Sequence, residues 1–282
     1  MPRVAQGYDP HATHLVEPDG HVDRRGAVGD VVVFGRICPE GEFGEIAQSV
    51  PVGVGRKVMG EDVPEIHLLP EVVDAVIIAT PNDTHAAVLK DALATDLAVF
   101  VEKPLATTVE DLKSILAWDD KRSAMTWMGL EYRFMPPVAE AIARAHEGEA
   151  GKIHQVSIRE HREPFYPKVD NWNRFAERTG GTLVEKCCHY FNLMDIVVGQ
   201  TPVRVFASGG QSVNHLDEKY DGKQADMLDN AYVILEYANG ARGMLDLCMF
   251  GEGSFDKEIL TIVGDEGKIE SFLPSQVVRA SR

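Results

Sequence analysis

Two short apolar runs, each followed at once by a polar loop, constrain this chain most. Residues 73–79 form a continuous run rich in β-branched side chains, and residues 97–101 form a second run of the same kind. Such runs are typical of parallel strands that are covered on both faces. Apolar residues recur between them in the pattern expected of a helix. The stretch therefore predicts a β-α-β unit of an α/β fold.

Both predicted strands end in residues that can carry chemistry. The first leads into Ala79-Thr-Pro-Asn-Asp-Thr-His85, and the second leads into Glu102-Lys103-Pro104. Asn82 is predicted to cap the first helix, and Thr107-Thr-Val-Glu110 has the spacing of a capping box for the next one. Open α/β sheets bind ligands at the carboxyl ends of their strands. An isolated Lys-Pro would more often be an ordinary surface loop.

A third motif lies in the second half of the chain, at Gly180-Gly-Thr-Leu-Val-Glu-Lys-Cys-Cys-His189. If this stretch is one helix, Glu185 and His189 share a face, so that the carboxylate can orient or charge the imidazole. The alternative is an ordinary ion pair on a solvated helix surface.

Taken together, the three motifs resemble those of the Gfo/Idh/MocA family of glucose-fructose oxidoreductases and inositol dehydrogenases. The resemblance implies an amino-terminal Rossmann domain, a carboxyl-terminal α+β domain, and hydride transfer between NAD or NADP and a sugar or polyol. His189 takes the position of the family's catalytic histidine, and Glu185 takes that of an aspartate. Cys187 replaces a glycine of the family motif, and Asn192 replaces its final aspartate.

The resemblance also assigns roles to single residues. The catalytic residues would be Lys103, His189 and Glu185, with His189 as the base for the substrate hydroxyl. The cofactor would be held by the two loops after the strands: Thr80, Pro81, Asn82, His85, Glu102, Lys103 and Pro104. The stretch from residue 159 to residue 189 looks like the inositol 2-dehydrogenase branch, which implies a polyol site made by Lys168, Trp172, Asn173 and Tyr132. Ordinary loop polarity, and a packing role for Tyr132, are the alternatives.

Residues 1–67 do not fit this scheme. A Rossmann domain should open with a strand that runs into Gly-x-Gly-x-x-Gly and a helix, which together bind the pyrophosphate. The nearest candidates are a strand-like run at residues 31–37 and the segment Gly53-Val-Gly55-Arg-Lys-Val-Met-Gly60. The first βαβ unit is therefore predicted to be missing or divergent. A divergent replacement, a disordered extension and the product of a wrong reading frame or exon are all open, and we favour the last of these.

The second half of the chain has a different strand pattern. Alternating or hairpin-paired strands are predicted at residues 155–160, 203–208, 231–237, 242–248 and 258–263, with Asn239-Gly240 as a two-residue turn. The predicted fold class is a Rossmann-like parallel sheet at residues 68–133, followed at residues 134–282 by an α+β domain with a large, mainly antiparallel sheet. Because family members usually continue beyond this length, we expect some closing structure to be missing.

Composition narrows the possible partners. The formal net charge of −16 argues against nucleic acid and anionic membranes, which require a basic surface. No stretch predicts a membrane span or a signal peptide, so a cytoplasmic protein is expected. The four cysteines are interpreted as reduced thiols, and no spacing predicts a metal site. A homo-oligomer is expected by analogy with the family.

The sequence therefore predicts an NAD(P)-dependent oxidoreductase acting on a small cyclic polyol or sugar. The alternative is a non-catalytic relative that lacks a competent dinucleotide site and serves as a binding or oligomerisation module. The three catalytic candidates favour the enzyme, and the absent glycine motif favours the alternative.

Overall fold

The computed structural model describes residues 30–35, which form one strand, and residues 73–282. A first sheet contains four strands in the order β1-β2-β3-β4, and β2, β3 and β4 run parallel. Their bounds are Asp30–Gly35 for β1, Val73–Ala79 for β2, Ala98–Val101 for β3 and Thr126–Met128 for β4. The parallel strands predicted at residues 73–79 and 97–101 are confirmed.

Strand β1 pairs antiparallel with β2, and Asp30 lies opposite Ala79. The first strand of a Rossmann nucleotide-binding unit runs parallel to its neighbours, so β1 does not supply that strand. The other candidate, the segment from Gly53 to Gly60, lies outside the described residues, as does the rest of the predicted 1–67 segment.

Two helices pack on the first sheet, α1 at His85–Ala92 and α2 at Val109–Asp119. A 3-10 turn at Asn82–Thr84 precedes α1 and includes Asn82, so Asn82 does not cap the helix as predicted. The cap of α2 is Thr108, whose hydroxyl oxygen accepts a hydrogen bond from the amide of Asp111. The predicted capping box is therefore shifted by one residue, because the backbone of Thr108 is still extended and the helix begins at Val109.

The second sheet has seven strands in the order β13-β12-β11-β5-β10-β9-β6, and a separate two-stranded ribbon pairs β7 with β8. The strands are β5 Ile153–His161, β6 Pro202–Gly210, β7 Lys219–Tyr220, β8 Lys223–Gln224, β9 Asn230–Tyr237, β10 Arg242–Cys248, β11 Glu258–Gly264, β12 Lys268–Leu273 and β13 Val277–Ser281. The helices are α3 Pro136–His146, α4 Ala176–Thr179, α5 Thr182–Glu185 and α6 Cys188–Val198.

Strand pairing in the second sheet is mixed. Strands β5 and β10 pair in parallel, and their other partners run antiparallel. The predicted hairpin turn joins β9 to β10, and Gly240 has a φ of 87° that a side chain would strain. The residues after Gly267 form β12 and β13, two strands that the sequence pattern did not predict.

Each sheet has its own hydrophobic core. In the first, Ile78 packs with Leu89 and Ile115. In the second, helices α3 and α6 cover one face, where Met194 packs with Ile158 and other sheet residues. The opposite face carries exposed apolar side chains: Phe206, Tyr232, Ile234 and Met244. The domain boundaries given above remain a prediction.

Within the described ranges, no helix is both long enough and apolar enough to cross a membrane.

Candidate functional site

An open cleft of about 310 Å³ lies at the carboxyl ends of β2 and β3. Its walls come from both halves of the chain: Ala79, Thr80, Pro81, Asn82, Glu102, Lys103, Lys168, Val169, Trp172 and Glu185. The position matches the rule that open α/β sheets bind ligands beyond the carboxyl ends of their strands. Loops that are far apart in the sequence thus meet at one concave surface.

Lys103 is the residue that links the two halves. Its ammonium nitrogen donates a hydrogen bond of 2.8 Å to the backbone carbonyl of Glu185, which is 82 residues away. An ammonium group carries three donors. This contact uses one donor and leaves the side chain at the cleft wall, where the remaining donors can reach a ligand oxygen.

Glu185 has a buried carboxylate that lines the cleft. Its Oε1 lies 3.9 Å from Lys168 Nζ, and its Oε2 has no hydrogen-bond partner among the described residues. Burial raises the pKa of Glu185, and the charges of Lys168 and Lys103 partly oppose that rise. A buried acceptor without a partner is costly. A hydroxyl group bound in the cleft could satisfy it.

Lys168 and Trp172 form the opposite side of the cleft. The Lys168 ammonium lies 4.6 Å from the centre of the Trp172 ring, a cation–π geometry. The surrounding protein lowers the pKa of Lys168 by desolvation, Glu185 opposes this effect, and Lys103 adds to it. The side chain still has 53% of its surface exposed. Lys168 therefore offers a cation to whatever enters the cleft.

Asn173 differs from its predicted role as a substrate ligand. Its Oδ1 accepts a hydrogen bond from the Lys168 amide, and its Nδ2 donates to the Tyr166 carbonyl. The side chain is buried and does not line the cleft. Both polar atoms of the Asn173 side chain are therefore hydrogen-bonded to the backbone of the loop. These two bonds hold the loop that presents Lys168.

The helix that was predicted to align Glu185 with His189 is broken. Helix α5 ends at Glu185, and α6 begins at Cys188, so the two side chains do not share one helix face. The His189 Nε2 instead lies 3.5 Å from Glu131 Oε2. Its Nδ1 is buried and has no hydrogen-bond partner in the described part of the chain. The predicted orientation of His189 by Glu185 is therefore wrong.

His189 is buried and is not one of the residues that line the cleft. Its ring is stacked on the ring of Tyr132, with a centroid distance of 4.4 Å and an interplanar angle of 17°. Burial lowers the pKa of His189 to about 3, and the positive charges of Lys103 and Lys186 act in the same direction. The imidazole is therefore uncharged at neutral pH.

Tyr132 also differs from its predicted role at the substrate. Its hydroxyl group accepts a hydrogen bond of 2.5 Å from Lys186 Nζ and donates one of 3.2 Å to Glu258 Oε1. The side chain is buried and does not line the cleft. Its hydroxyl is used inside the protein, and its ring supports His189.

The two predicted cofactor loops are joined by His85. Its Nδ1 lies 2.7 Å from the Pro104 carbonyl oxygen, and its Nε2 lies 2.9 Å from the Thr80 carbonyl oxygen. His85 and Pro104 are both buried and do not line the cleft, and the His85 side chain joins the two loops. Thr80, Pro81, Asn82, Glu102 and Lys103 do line the cleft.

Asn82 adds a second link between the halves of the chain. Its side-chain Nδ2 donates a hydrogen bond of 3.3 Å to the Thr179 carbonyl. Thr179 ends α4, immediately before the two glycines of the third motif. The loop after β2 is therefore fixed to the segment that carries Glu185.

These residues fit one end of a nicotinamide dinucleotide. Thr80, Pro81, Asn82 and Glu102 surround Lys103 at the strand ends, where a nicotinamide ribose would find polar partners. The pyrophosphate end has no counterpart among the described residues, where no glycine-rich turn leads from a strand into a helix. The fit is therefore to the nicotinamide end.

A buried ionic cluster that the sequence motifs did not predict lies in the second half of the chain, beside Glu185 in the sequence. Lys186 Nζ lies 3.1 Å from Glu160 Oε1, and Glu160 is fully buried. The signal was present in β5, where Val156, Ile158 and Glu160 occupy alternate inward positions. An acid at an inward strand position requires a buried partner.

Comparison with known proteins identifies the family of the two halves. Residues 52–130 match the model described as "Oxidoreductase family, NAD-binding Rossmann fold", and residues 143–279 match the model described as "Oxidoreductase family, C-terminal alpha/beta domain". The two models are the two domains of one family, Gfo/Idh/MocA, and together they match most of the chain.

Individual relatives agree. The chain is 27% identical over 197 residues to inositol 2-dehydrogenase of Rhizobium meliloti. This alignment covers 70% of this chain and 56% of that protein. It is 27% identical over 224 residues to scyllo-inositol 2-dehydrogenase (NAD(+)) of Bacillus subtilis, covering 79% and 62%. The crystal structure of GenD2 from gentamicin A biosynthesis, in complex with NAD, superposes with a TM-score of 0.62 at 25% identity, covering 72% of this chain and 55% of that one.

The chain spans 56% to 62% of the length of these two curated relatives. Within that span, the two family models match the regions that contain Lys103 and His189. The chain belongs to the Gfo/Idh/MocA family of oxidoreductases.

Proposed function

We propose that this chain is an NAD(P)-dependent oxidoreductase that transfers a hydride between the nicotinamide and a hydroxyl-bearing carbon of a cyclic polyol or sugar of the inositol type. The observation that carries the proposal is the convergence in one cleft of Lys103, Lys168 and a Glu185 carboxylate oxygen that has no hydrogen-bond partner among the described residues. The curated relatives named inositol dehydrogenases support the choice of substrate class.

The nicotinamide supplies the hydride chemistry when it is bound. Thr80, Pro81, Asn82 and Glu102 would hold its end of the dinucleotide at the cleft wall. The cofactor is NAD or NADP.

The chain's own groups would bind and orient the polyol. Glu185 Oε2 would accept a hydrogen bond from one hydroxyl group, because it is buried and has no other described partner. Lys168 would donate to a second hydroxyl, and the adjacent Trp172 ring offers an apolar surface to the ring carbons. Two fixed polar contacts on one side of a ring would select its hydroxyl stereochemistry.

Oxidation of a secondary alcohol also releases a proton from its oxygen. A base whose pKa is about 3 binds a proton weakly at neutral pH, so His189 is not well matched to hold it. The proposal therefore assigns the contact with the reacting oxygen to Lys103, which already lies at the cleft wall. The uncharged imidazole of His189 would accept the proton released from that oxygen and, because it binds the proton weakly, pass it on to solvent.

A binding titration tests the proposal. NADH and NADPH are added to the 282-residue chain while nicotinamide fluorescence is followed, and NAD⁺ reduction is then assayed with myo-inositol and scyllo-inositol. Saturable binding that weakens at least about tenfold in Lys103→Met is expected, since a charge-assisted hydrogen bond contributes roughly 1.5–3 kcal/mol. Lys90→Met, an exposed lysine on α1, is the matched control and should bind as the unaltered chain does.

A second candidate function is a polyol-binding relative without dinucleotide chemistry. The antiparallel pairing of β1 favours it, because that strand does not form a pyrophosphate-binding unit. A folded chain that binds inositol by calorimetry but neither NADH nor NADPH would select this candidate over the enzyme.

The expected homo-oligomer would use the exposed apolar face of the second sheet, which carries Phe206, Tyr232 and Met244. Size-exclusion chromatography with light scattering measures the mass in solution, and a monomer at micromolar concentration would contradict this expectation.

A further inference from the structure

Lys186 is a buried cation that the proposed reaction has not used. It follows Glu185 in the third motif and points away from the cleft, into the interior of the second half. Its ammonium nitrogen lies 3.1 Å from Glu160 Oε1 and 3.9 Å from Glu258 Oε1. The same nitrogen donates a hydrogen bond to the Tyr132 hydroxyl.

The position of the two acids explains why a cation is held there. Glu160 on β5 and Glu258 on β11 are directly opposed in the sheet register. Like charges on opposed residues repel, and a buried carboxylate requires a partner. Burial disfavours the charge on Lys186, but Glu160 and Tyr132 outweigh it and raise the pKa of the lysine. Lys186 is therefore a charged group between two acids.

The same ammonium fixes an aromatic ring. Tyr132 is held at its hydroxyl by Lys186 on one side and by Glu258 on the other. Lys186 Nζ also lies 4.7 Å from the centre of the Tyr132 ring. The face of that ring is stacked on the imidazole of His189 at 4.4 Å. The buried ion cluster is thus connected to His189 through a single side chain.

We propose that Lys186 is a positioning residue that holds the Tyr132 ring against His189 and thereby fixes the orientation of the imidazole next to Lys103. The catalytic part of this inference rests on the proposed function, because it matters for the reaction only if His189 acts on the reacting oxygen. The structural part, that Lys186 holds the Tyr132 ring against His189, can be tested without cofactor or substrate.

The surroundings of His189 leave this task to Tyr132. Its Nδ1 has no hydrogen-bond partner among the described residues, and its Nε2 is 3.5 Å from the half-exposed carboxylate of Glu131. A histidine ring is usually oriented by a hydrogen bond to one of its nitrogens. Here the stacked Tyr132 ring is a second orienting contact, on the face of the imidazole, and Lys186 holds the hydroxyl of that ring.

Nuclear magnetic resonance of chain labelled with carbon-13 histidine measures the stacking directly. The ring current of Tyr132 displaces the His189 resonances from their ordinary positions, and His189→Gln identifies those resonances by their loss. Tyr132→Leu removes the ring and defines the unstacked position. Tyr132→Phe keeps the ring and all the buried charges but removes the hydroxyl that Lys186 holds.

In Tyr132→Phe and Lys186→Met, the His189 resonances are expected to move at least halfway to their position in Tyr132→Leu. Lys186→Arg, which keeps the charge, should retain most of the original displacement. Lys186→Met leaves Glu160 without its partner. If that variant fails to fold, the double variant Glu160→Gln/Lys186→Met, which removes both charges, is measured in place of the single variant. A folded Tyr132→Phe with unmoved His189 resonances overturns the proposal.

The NADH titration separates this inference from the proposed function. If the His189 resonances move as expected but the chain binds no NADH, the positioning role of Lys186 stands and the proposed oxidoreductase function is rejected. In a chain that is active, Lys186→Met should lower kcat at least about tenfold with little change in the KM for NADH, because Lys186 does not line the cleft. An unchanged kcat in that folded variant also overturns the proposal.

Discussion

The low pKa of His189 makes the stability of this protein sensitive to mild acid. In the folded chain the pKa is about 3, whereas the ordinary value of 6.5 applies to the unfolded chain. Below pH 6.5 the unfolded state therefore binds a proton that the folded state does not. Because the folded-state pKa is the lower one, stability is greatest above the unfolded value and falls as the pH falls toward the folded value.

The size of the loss follows from the linkage relation. Between about pH 7 and about pH 5, the unfolded imidazole becomes almost fully protonated while the folded one stays neutral. Each pH unit below the unfolded pKa then costs about 1.4 kcal/mol, and the loss from His189 is ~2 kcal/mol by about pH 5. The figure hardly depends on the folded pKa, since any value below about 4 leaves the folded imidazole uncharged at that pH.

His189→Gln removes the titrating group and keeps a neutral polar side chain. Urea unfolding at the two pH values gives four free energies of unfolding. The unaltered chain should lose ~2 kcal/mol more than the variant between the two pH values. Glu185 has a raised pKa and His85 a lowered one, so they act in opposite directions, but both are present in both chains. Equal losses in the two chains would refute the buried, uncharged state of His189.

Three further substitutions test the fold, one of them as a control. Gly264→Ala should destabilise the chain by ~2–3 kcal/mol in urea unfolding, because the added carbon would overlap the Ala150 carbonyl oxygen. Gly253→Ala is the control: its added carbon meets no described atom within 4 Å, so stability should change by less than ~0.5 kcal/mol. Thr108→Ala should cost about 1 kcal/mol, because it removes the hydrogen bond that caps α2 at Asp111. A loss from Gly253→Ala as large as that from Gly264→Ala would contradict the packing argument.

Local patterns predicted the elements that carry the cleft. A strand that is buried on both faces has an uninterrupted run of apolar residues, which can be recognised in the sequence. This is why the strands at residues 73–79 and 97–101, with the polar residues at their ends, were predicted. The rule for strand ends then predicted that Lys103 would lie at a binding edge, where the structure places it. Both family models match the regions that hold these motifs.

Long-range pairing was not predictable in the same way. Strands β5 and β10 pair in parallel although each looks like part of an antiparallel sheet, because alternation reports which face is buried and not which strand is next. Strands β12 and β13 were missed, and their pairing completes one edge of the sheet. Element type is a local property, whereas strand order depends on the whole sheet.

The sequence by itself determined the chemistry available at the site: an acid at residue 185, lysines at 103 and 168, and a histidine at 189. Only the tertiary structure decided how these groups are used. Lys103 meets the Glu185 carbonyl across 82 residues, and Lys186 meets Tyr132 across 54. The break between α5 and α6 turns His189 toward Tyr132 and Glu131 and away from Glu185. A motif fixes which groups are present, but their partners depend on contacts that chain folding creates between distant segments.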